Sequence, residues 1–405
     1  MAPNLPDLPA ELLLLIVECE PRPKHEKLAF KALRQTCKAI NDKITHSFGC
    51  KYFADVTVGL DAIALDKIHG ISHSQFVCHV EAVTVNTKAL WNCDQLGISA
   101  DAAVLSLEGV MATLLNGTWA NSLGHALPRL PHLKHLYVES PDHYDIGMQN
   151  WSRPSLSRIF TTIVKTTFTV ALCKVSALET LSISATQYWS MVPVHVSVLG
   201  SLAIFMHQLS SLKTLRLNIE VDDDEDTHIE PIHILAHLFQ RASTLTDLSL
   251  GFSTSDNSAP FFRQLSQTLP PNTLRRLELF HLDTQLKDLK RLLKTCKETL
   301  QVLGLHCVTF TGDGQVCRLL RFLREDMVLK EVLLCGLNEE RLDDFTYGVH
   351  FNLVNLRQWK LHLKMADGDD IGYWLNVVEG GLVFDDLWEW DDVVDLYRAD
   401  LDARS

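Results

Sequence analysis

Side chains of the metal-binding and catalytic types are present in this sequence, but few of them are spaced for chemistry. His233 and His237 lie four residues apart on a predicted helix, with His228 and acidic residues upstream. Zinc accepts two such imidazoles together with a carboxylate. Pro231 begins that helix and no cysteine lies nearby, so we predict no metal ion here and no cofactor elsewhere.

Catalytic motifs are missing as well. The sequence has no Gly-x-Ser-x-Gly elbow, no phosphate-binding glycine-rich loop followed by Lys-Ser/Thr, and no His-Glu-x-x-His. We therefore predict a non-catalytic protein. An enzyme with an unrecognised α/β site is the third alternative.

The distribution of charge and the spacing of the cysteines limit which kinds of partner and which cell compartment we expect. Of the net charge of −13, residues 366–405 carry −10, and residues 220–230 carry seven acidic side chains without Lys or Arg. Removing both segments leaves +4, so we expect no nucleic-acid partner. Ten cysteines without a CxxC pair favour reduced thiols in the cytoplasm or nucleus. No apolar run approaches the roughly 20 residues of a membrane span, so no membrane partner is expected.

The elements that must position any functional residue follow from a repeated motif, Leu-x-x-Leu-x-Leu. From residue 212 onward its copies begin 26 to 33 residues apart, whereas the preceding intervals are longer. The alternating end of each copy predicts a strand. Apolar residues three and four apart between copies predict a helix. The copies begin at Leu133, Leu178, Leu212, Leu245, Leu274, Leu300, Leu329 and Leu356, with a looser one at Val80.

A strand and a helix in each unit are typical of leucine-rich repeats. One unit cannot bury its apolar strand face alone, so neighbouring units must stack. The sequence therefore predicts an α/β solenoid with parallel strands on the concave face and helices on the convex face. A doubly wound parallel sheet also alternates strand and helix and is the alternative, but repetition of one motif near one period favours the solenoid.

Residues between the motif leucines are predicted to point out of the concave sheet. Solenoids bind proteins on such faces, and a mixed strip with exposed Tyr, Phe and Arg fits a protein partner. The residues that we expect to contact a protein substrate are Tyr137, Arg216, Asp247, Arg276, Glu278, Phe280 and Lys360.

Residues 5–53 stand apart from the repeats and predict two helices. Pro9 suits the first position of a helix, and residues 12–17 are all apolar. A second helix is predicted from about Glu26 to Ile44. So short a segment can cover only one side of the first helix, and each uncovered Leu or Ile forgoes about 1.5–3 kcal/mol of burial. Either the solenoid or another protein must therefore cover the remaining side.

Two stretches of this segment resemble an F-box. Leu5-Pro-Asp-Leu-Pro-Ala-Glu-Leu-Leu-Leu-Leu-Ile16 is similar to the Leu-Pro-x-Glu-Leu…Ile opening of that motif. Leu33-Arg-Gln-Thr-Cys-Lys-Ala-Ile-Asn41 is similar to its later Leu-Arg-x-Val-Cys-Lys-x-Trp/Phe-x stretch, with Thr36 and Ile40 as departures. An F-box followed by leucine-rich repeats resembles the substrate receptors of SCF ubiquitin ligases, in the degenerate style of filamentous fungi.

The resemblance implies a division of labour. The F-box would dock on the Skp-type adaptor of a cullin ligase core, and the repeats would hold a protein for ubiquitination, the chain being a monomer outside the complex. The alternative is an interaction scaffold that joins no ligase, with the N-terminal residues as a cap on the solenoid. The resemblance assigns adaptor binding to Leu5, Pro6, Leu8, Pro9, Leu12, Leu13 and Ile16, with Leu33, Cys37 and Ile40 in the inter-helix core or the interface.

Two charged features complete the predicted organisation. Eight basic residues on two neighbouring helices predict one convex patch that meets acid, either the chain's own tail or an acidic partner; a solvated helix face is the alternative. The tail at 366–405 mixes acids with aromatic residues and is expected to cap the last repeat, the alternative being an acidic partner motif. The basic residues are Lys287, Lys290, Arg291, Lys294, Lys297, Arg318, Arg321 and Arg324. The predicted parts are an F-box-like module (1–53), a linker with irregular first repeats (54–130), the repeat array (131–365) and the cap or tail (366–405).

Overall fold

The computed structural model shows an α/β protein whose helices pack on a mainly parallel sheet. The described residues are 5–18, 23–87, 110, 112–140, 154–184, 192–195, 197–204, 206–220, 234, 238–252, 258–268, 273–312, 314–340, 346–353, 356–358, 360–364 and 382–386. The helices are α1 (Ala10–Glu18), α2 (Pro23–Arg34), α3 (Lys38–Tyr52), α4 (Ala62–Ser72), α5 (Thr118–Ala126), α6 (Pro154–Lys174), α7 (Ser197–Ala203), α8 (Ser258–Thr268), α9 (Leu286–Thr295) and α10 (Gln315–Asp326). Short 3-10 segments lie at Leu5–Asp7, Val77–His79, Leu127–Arg129 and Met206–Ser211.

The strands follow the chain in one sheet. They are β1 (Asp55–Val58), β2 (Ala82–Asn86), β3 (His135–Glu139), β4 (Thr180–Ser184), β5 (Val194–His195), β6 (Thr214–Glu220), β7 (Asp247–Phe252), β8 (Arg276–Thr284), β9 (Val302–Thr311), β10 (Glu331–Cys335), β11 (Asn338–Glu340), β12 (Thr346–Leu353), β13 (Leu356–Gln358), β14 (Lys360–Lys364) and β15 (Leu382–Asp386). From β1 to β10 the main path pairs each strand in parallel with the next, while the short β5 pairs beside it with β6. A doubly wound sheet reverses its strand order part-way, and the observed order is instead solenoid-like.

Pairing register explains why the motif leucines recur. The fourth motif position of one strand lies beside that of the next, for example Leu215 beside Leu248 and Leu248 beside Leu277. These side chains are buried and form a continuous core with the helices on the same side of the sheet. The described part of residues 54–130, which were predicted to be a linker with irregular repeats, contains β1, α4, β2 and α5, and these elements belong to the same sheet and core.

Three neighbouring strands bend at the same motif position. His281 in β8 (φ 49°), Cys307 in β9 (φ 52°) and Gly336 after β10 (φ 60°) all have a left-handed backbone. Each bend inserts one residue into the strand alternation, as a β-bulge does. Leu279 before the bend and Leu282 after it are therefore both buried. Left-handed geometry disfavours His and Cys, so packing on both sides of the bend must hold them there.

We expect the protein to lose stability in mild acid because of His281. Burial lowers the pKa of this half-buried imidazole from 6.5 to about 4. Its folded pKa lies below its unfolded pKa, so the stabilising neutral form is complete above about pH 6.5 and is lost as the pH falls toward about 4. At 1.36 kcal/mol per pH unit, the loss reaches up to about 3 kcal/mol. His281→Asn keeps a residue that tolerates left-handed geometry, and in urea unfolding it should lack this component between about pH 7 and pH 5. An unchanged pH dependence in the variant would contradict the assignment.

The end of the sheet corrects the predicted repeat array. The copy that begins at Leu356 was predicted to add another parallel strand. Instead, β14 pairs antiparallel with β10, and β13 pairs antiparallel with β12. A strand parallel to β10 would require the chain to cross back to the end of the sheet where β10 begins. The chain after β10 instead forms β11 and β12, and β14 therefore runs in the opposite direction to β10. Lys360 therefore lies opposite Cys335 on an antiparallel strand. Apart from β15, which pairs with β12, the predicted cap lies outside the described residues.

The described part of the N-terminal segment contains three α-helices where two were predicted. The predicted helix from Glu26 to Ile44 is interrupted between α2 and α3, where Cys37 has an extended backbone (φ −162°, ψ 163°). The hydroxyl of Thr36 donates a hydrogen bond to the Leu33 carbonyl (2.7 Å) and closes the end of α2. Such local side-chain bonds compete with continued helix. The break lets α3 fold back against α1 and α2.

Candidate functional site

The three N-terminal helices enclose a small core of their own. Leu13 and Val17 of α1 point inward against Phe30 of α2 and against Ile40 and Ile44 of α3. Towards the repeats, the ring of Phe53 stacks on Phe76 with centroids 4.4 Å apart. The module therefore has an interior of its own and also contacts the first strand–helix unit.

The other side of α1 is apolar and open to solvent. Leu12, Leu15 and Ile16 are 46%, 54% and 53% exposed, and their spacing of three and four places them in one stripe along the helix. Leu5, in the 3-10 segment before α1, and Leu28, on α2, are exposed large apolar residues of the same module. We call Leu5, Leu12, Leu15 and Ile16 the apolar face.

Hydrogen bonds from α3 fix the segment that precedes this face. The Lys43 ammonium donates to the carbonyls of Pro6 (2.7 Å) and Leu8 (2.9 Å). The amide of Leu13 donates to the Pro9 carbonyl (3.2 Å), which starts the first turn of α1. The entry to α1 is therefore held in place before any partner binds.

The predicted adaptor-binding residues divide between surface and core. Leu13 and Ile40 are 0% and 1% exposed, so the prediction that Leu13 docks on the adaptor is wrong and Ile40 belongs to the core. Leu15 was missed, although its helical spacing from Leu12 is a signal that the sequence contains. Of the remaining predicted residues, Leu5, Pro6, Pro9, Leu12 and Ile16 are exposed, whereas Leu8, Leu33 and Cys37 are half-buried.

The predicted substrate-binding residues on β3, β6, β7 and β8 lie on the face opposite the motif leucines. Register aligns Arg216 with Ser182 on one side and Ser249 on the other, and aligns Asp247 with Arg276. Tyr137 lies in the same row beside Ser182. Its pKa is raised, first by partial burial and then by the charge of Asp55.

Two of these residues are buried, which corrects the prediction of an exposed strip. Glu278 is buried and accepts from Arg276 Nε (3.0 Å) and Arg216 Nη2 (3.3 Å). Phe280 is buried and stacks on His306 with centroids 4.6 Å apart. A buried charge persists only when it is paired, so the two arginines balance Glu278. Glu278 therefore neutralises part of the positive charge of Arg216 and Arg276 within the protein.

The predicted basic patch lies on α9 and α10, except for Lys297, which follows the end of α9. The Lys290 and Lys294 ammonium groups stand 5.2 and 5.9 Å from the ring centroid of Phe322 on α10. The pKa of Lys290 is lowered by desolvation and then by repulsion from Lys294, with smaller repulsion from Arg318 and Arg321. Arg291 and Arg324 form ion pairs with acidic residues of their own helices. The two helices therefore bring mutually repelling charges together, which an acidic segment would relieve.

We expect charge reversal at Lys290, Lys294 and Arg321 to weaken a salt-sensitive contact with an acidic segment, because opposite charges become like charges. The measurement is the binding of a peptide with the sequence of residues 366–405, together with the melting temperature, at low and high salt. Reversal of Arg158, Lys165 and Lys174 on α6 changes the net charge equally and serves as the control. Equal binding and melting in both variants would show that the patch is an ordinary solvated surface.

Other predicted features fall elsewhere. His228, His233 and His237 and the acidic run at 222–226 lie outside the described residues. In the described part of the chain, no helix has the length and apolar character needed to cross a membrane.

Comparison with known proteins gives little to add. No protein-family model and no curated protein matches the chain. Among solved structures, the crystal structure of the Rad7 and Elc1 complex in yeast is similar, with 12% identity and a TM-score of 0.28 over 78% of this chain and 86% of that chain. A TM-score this low carries no argument, so function must be inferred from the chain's own residues.

Proposed function

We propose that this protein is a non-catalytic, substrate-recruiting subunit of an SCF-type ubiquitin ligase. Its N-terminal module is an F-box that binds a Skp-type adaptor, and its sheet and helices are a leucine-rich-repeat solenoid that binds a protein substrate. The protein acts in the cytoplasm or nucleus, where the cullin core of the ligase supplies the conjugating machinery.

The observation that carries this proposal is the apolar face of α1. Its inward residues already fill the module core, and the described part of the chain leaves Leu12, Leu15 and Ile16 about half exposed. Covering the exposed half of each would yield about 0.8–1.5 kcal/mol, half the value for burying a whole side chain. A contiguous apolar stripe on a folded module is typical of a protein-binding surface. The F-box resemblance supplies the identity of the partner, since Leu12 and Ile16 occupy positions of its opening motif.

The direct test is capture of the full-length chain by a purified Skp-type adaptor, followed by assembly with the cullin core. Stable, stoichiometric capture supports the ligase assignment. If the chain is folded but the adaptor does not bind it, the alternative function as an interaction scaffold is favoured. In that case the solenoid would still bind a protein, and the apolar face would bind a partner other than the adaptor.

A further inference from the structure

Three metal-binding side chains meet where the N-terminal module joins the repeats. His46 and Cys50 lie four residues apart on α3, and His79 lies at the end of the 3-10 segment that precedes β2. The Cys50 sulfur lies 3.6 Å from Nε2 of His46 and 3.5 Å from Nδ1 of His79. All three donor atoms fall within 4.8 Å of one another.

The two sulfur–nitrogen separations agree with tetrahedral zinc coordination. Zn–S bonds of about 2.3 Å and Zn–N bonds of about 2.0–2.1 Å at a tetrahedral angle place sulfur and nitrogen about 3.5–3.6 Å apart. Both sulfur–nitrogen distances match that value. A thiol can donate to one imidazole and accept from the N–H of the other, but it is a weak partner in both roles. Hydrogen bonding therefore explains the approach of His46 Nε2 and His79 Nδ1 to one sulfur less well than a shared metal ion does.

The backbone of α3 makes room for the third ligand. A Cβ atom on Gly49 would stand 2.2 Å from Cδ2 and 2.5 Å from Nε2 of His79, closer than non-bonded atoms approach. Glycine in the interior of a helix costs about 0.5–1 kcal/mol relative to alanine. The absence of a side chain at this position lets the imidazole lie directly against the helix beside Cys50.

We propose that His46, Cys50 and His79 bind one Zn²⁺ ion, with water in the fourth position. Cys50 would bind as the thiolate after releasing its proton to solvent, and both imidazoles would bind in the neutral form. His46 and Cys50 are exposed, so an ion can reach the site from solvent. Imidazole and thiolate together favour zinc over the oxygen-seeking Mg²⁺ and Ca²⁺.

The bound ion would join two parts of the chain that are far apart in sequence. Its ligands come from α3 of the module and from the segment that enters the parallel sheet. Zinc would therefore fix how the module is held against the first repeat. The site does not depend on adaptor binding, so the proposal stands apart from the ligase assignment.

Cobalt substitution tests the site in the full-length, reduced and metal-free chain. Co²⁺ in a tetrahedral site with one thiolate gives intense d–d bands and a sulfur-to-metal charge-transfer band. We expect one equivalent of Co²⁺ to produce both, and one equivalent of Zn²⁺ to remove them. Cys50→Ser should lose the charge-transfer band and weaken binding by more than about 100-fold, since loss of even an outer-shell partner costs about 10–100-fold.

Two further variants distinguish loss of metal coordination from loss of folding and from cobalt binding by other thiols. Gly49→Ala keeps all three ligands but displaces His79, and should weaken cobalt binding by about tenfold or more. Cys78→Ser removes an exposed thiol that is one residue from His79 but not in the cluster, and should leave the spectrum unchanged. Circular dichroism confirms that each variant is folded. An unchanged charge-transfer band in Cys50→Ser, or no tetrahedral spectrum in the parent chain, would overturn the proposal.

Discussion

Replacing Leu12, Leu15 and Ile16 together with Gln should abolish capture by a Skp-type adaptor while the chain stays folded. These side chains are exposed in the free protein, so the substitution costs little folded-state stability. Because each side chain is only about half exposed, binding can bury about half of it, which yields about 0.8–1.5 kcal/mol at each position. The three losses together predict about 50- to 1,500-fold weaker binding, since 1.4 kcal/mol is a factor of ten. The measurement is adaptor affinity by titration calorimetry, with the melting temperature recorded for each variant.

A matched control is available elsewhere on the surface. Ile63, Leu115 and Val328 are even more exposed than the apolar face and lie far from α1 in sequence. The same three changes to Gln at those positions should leave adaptor capture unaltered. Retention of full affinity by the triple variant at the apolar face would refute the proposed function, whereas weakened binding in both triples would indicate a nonspecific effect of surface polarity.

Glu339→Ala should be among the most destabilising single changes in the repeats. Its buried carboxylate accepts from the amides of Gly314 (2.7 Å) and Val316 (2.6 Å), at the start of α10. A helix N-terminus carries amides without partners inside the helix, and a carboxylate there also balances the helix dipole. Leaving the buried Val316 amide and the partly buried Gly314 amide unpaired costs about 1–3 kcal/mol each. We therefore expect about 3–4 kcal/mol less free energy of unfolding in urea.

Two comparison variants test whether the lost carboxylate causes the destabilisation of Glu339→Ala. Glu339→Gln keeps one carbonyl acceptor and the side-chain volume, and should lose about half as much stability. Glu340→Ala alters the exposed neighbour on the same strand and should stay within about 0.5 kcal/mol of the parent. A change at Glu339 no larger than the change at Glu340 would show that the carboxylate does not hold the start of α10.

The concave face shows where sequence reasoning stops. Alternation along β8 correctly placed Glu278 and Phe280 on the face opposite the motif leucines. It did not reveal that Glu278 would be enclosed by Arg276 and Arg216, or that Phe280 would stack on His306. Alternation specifies the side of a sheet to which a residue points, whereas its exposure depends on neighbours brought in from other strands.

The sequence alone determined the strand and helix of most repeats, and it indicated that α1 has more apolar surface than its module can bury. These features are local, because strand alternation and helical spacing operate over a few residues. Only the tertiary structure decided that Leu13 faces the core while Leu15 faces solvent, and that the sheet ends in antiparallel strands. It alone brought His79 to Cys50, 29 residues away. Contacts of this kind depend on where distant segments meet, and no local pattern encodes that meeting.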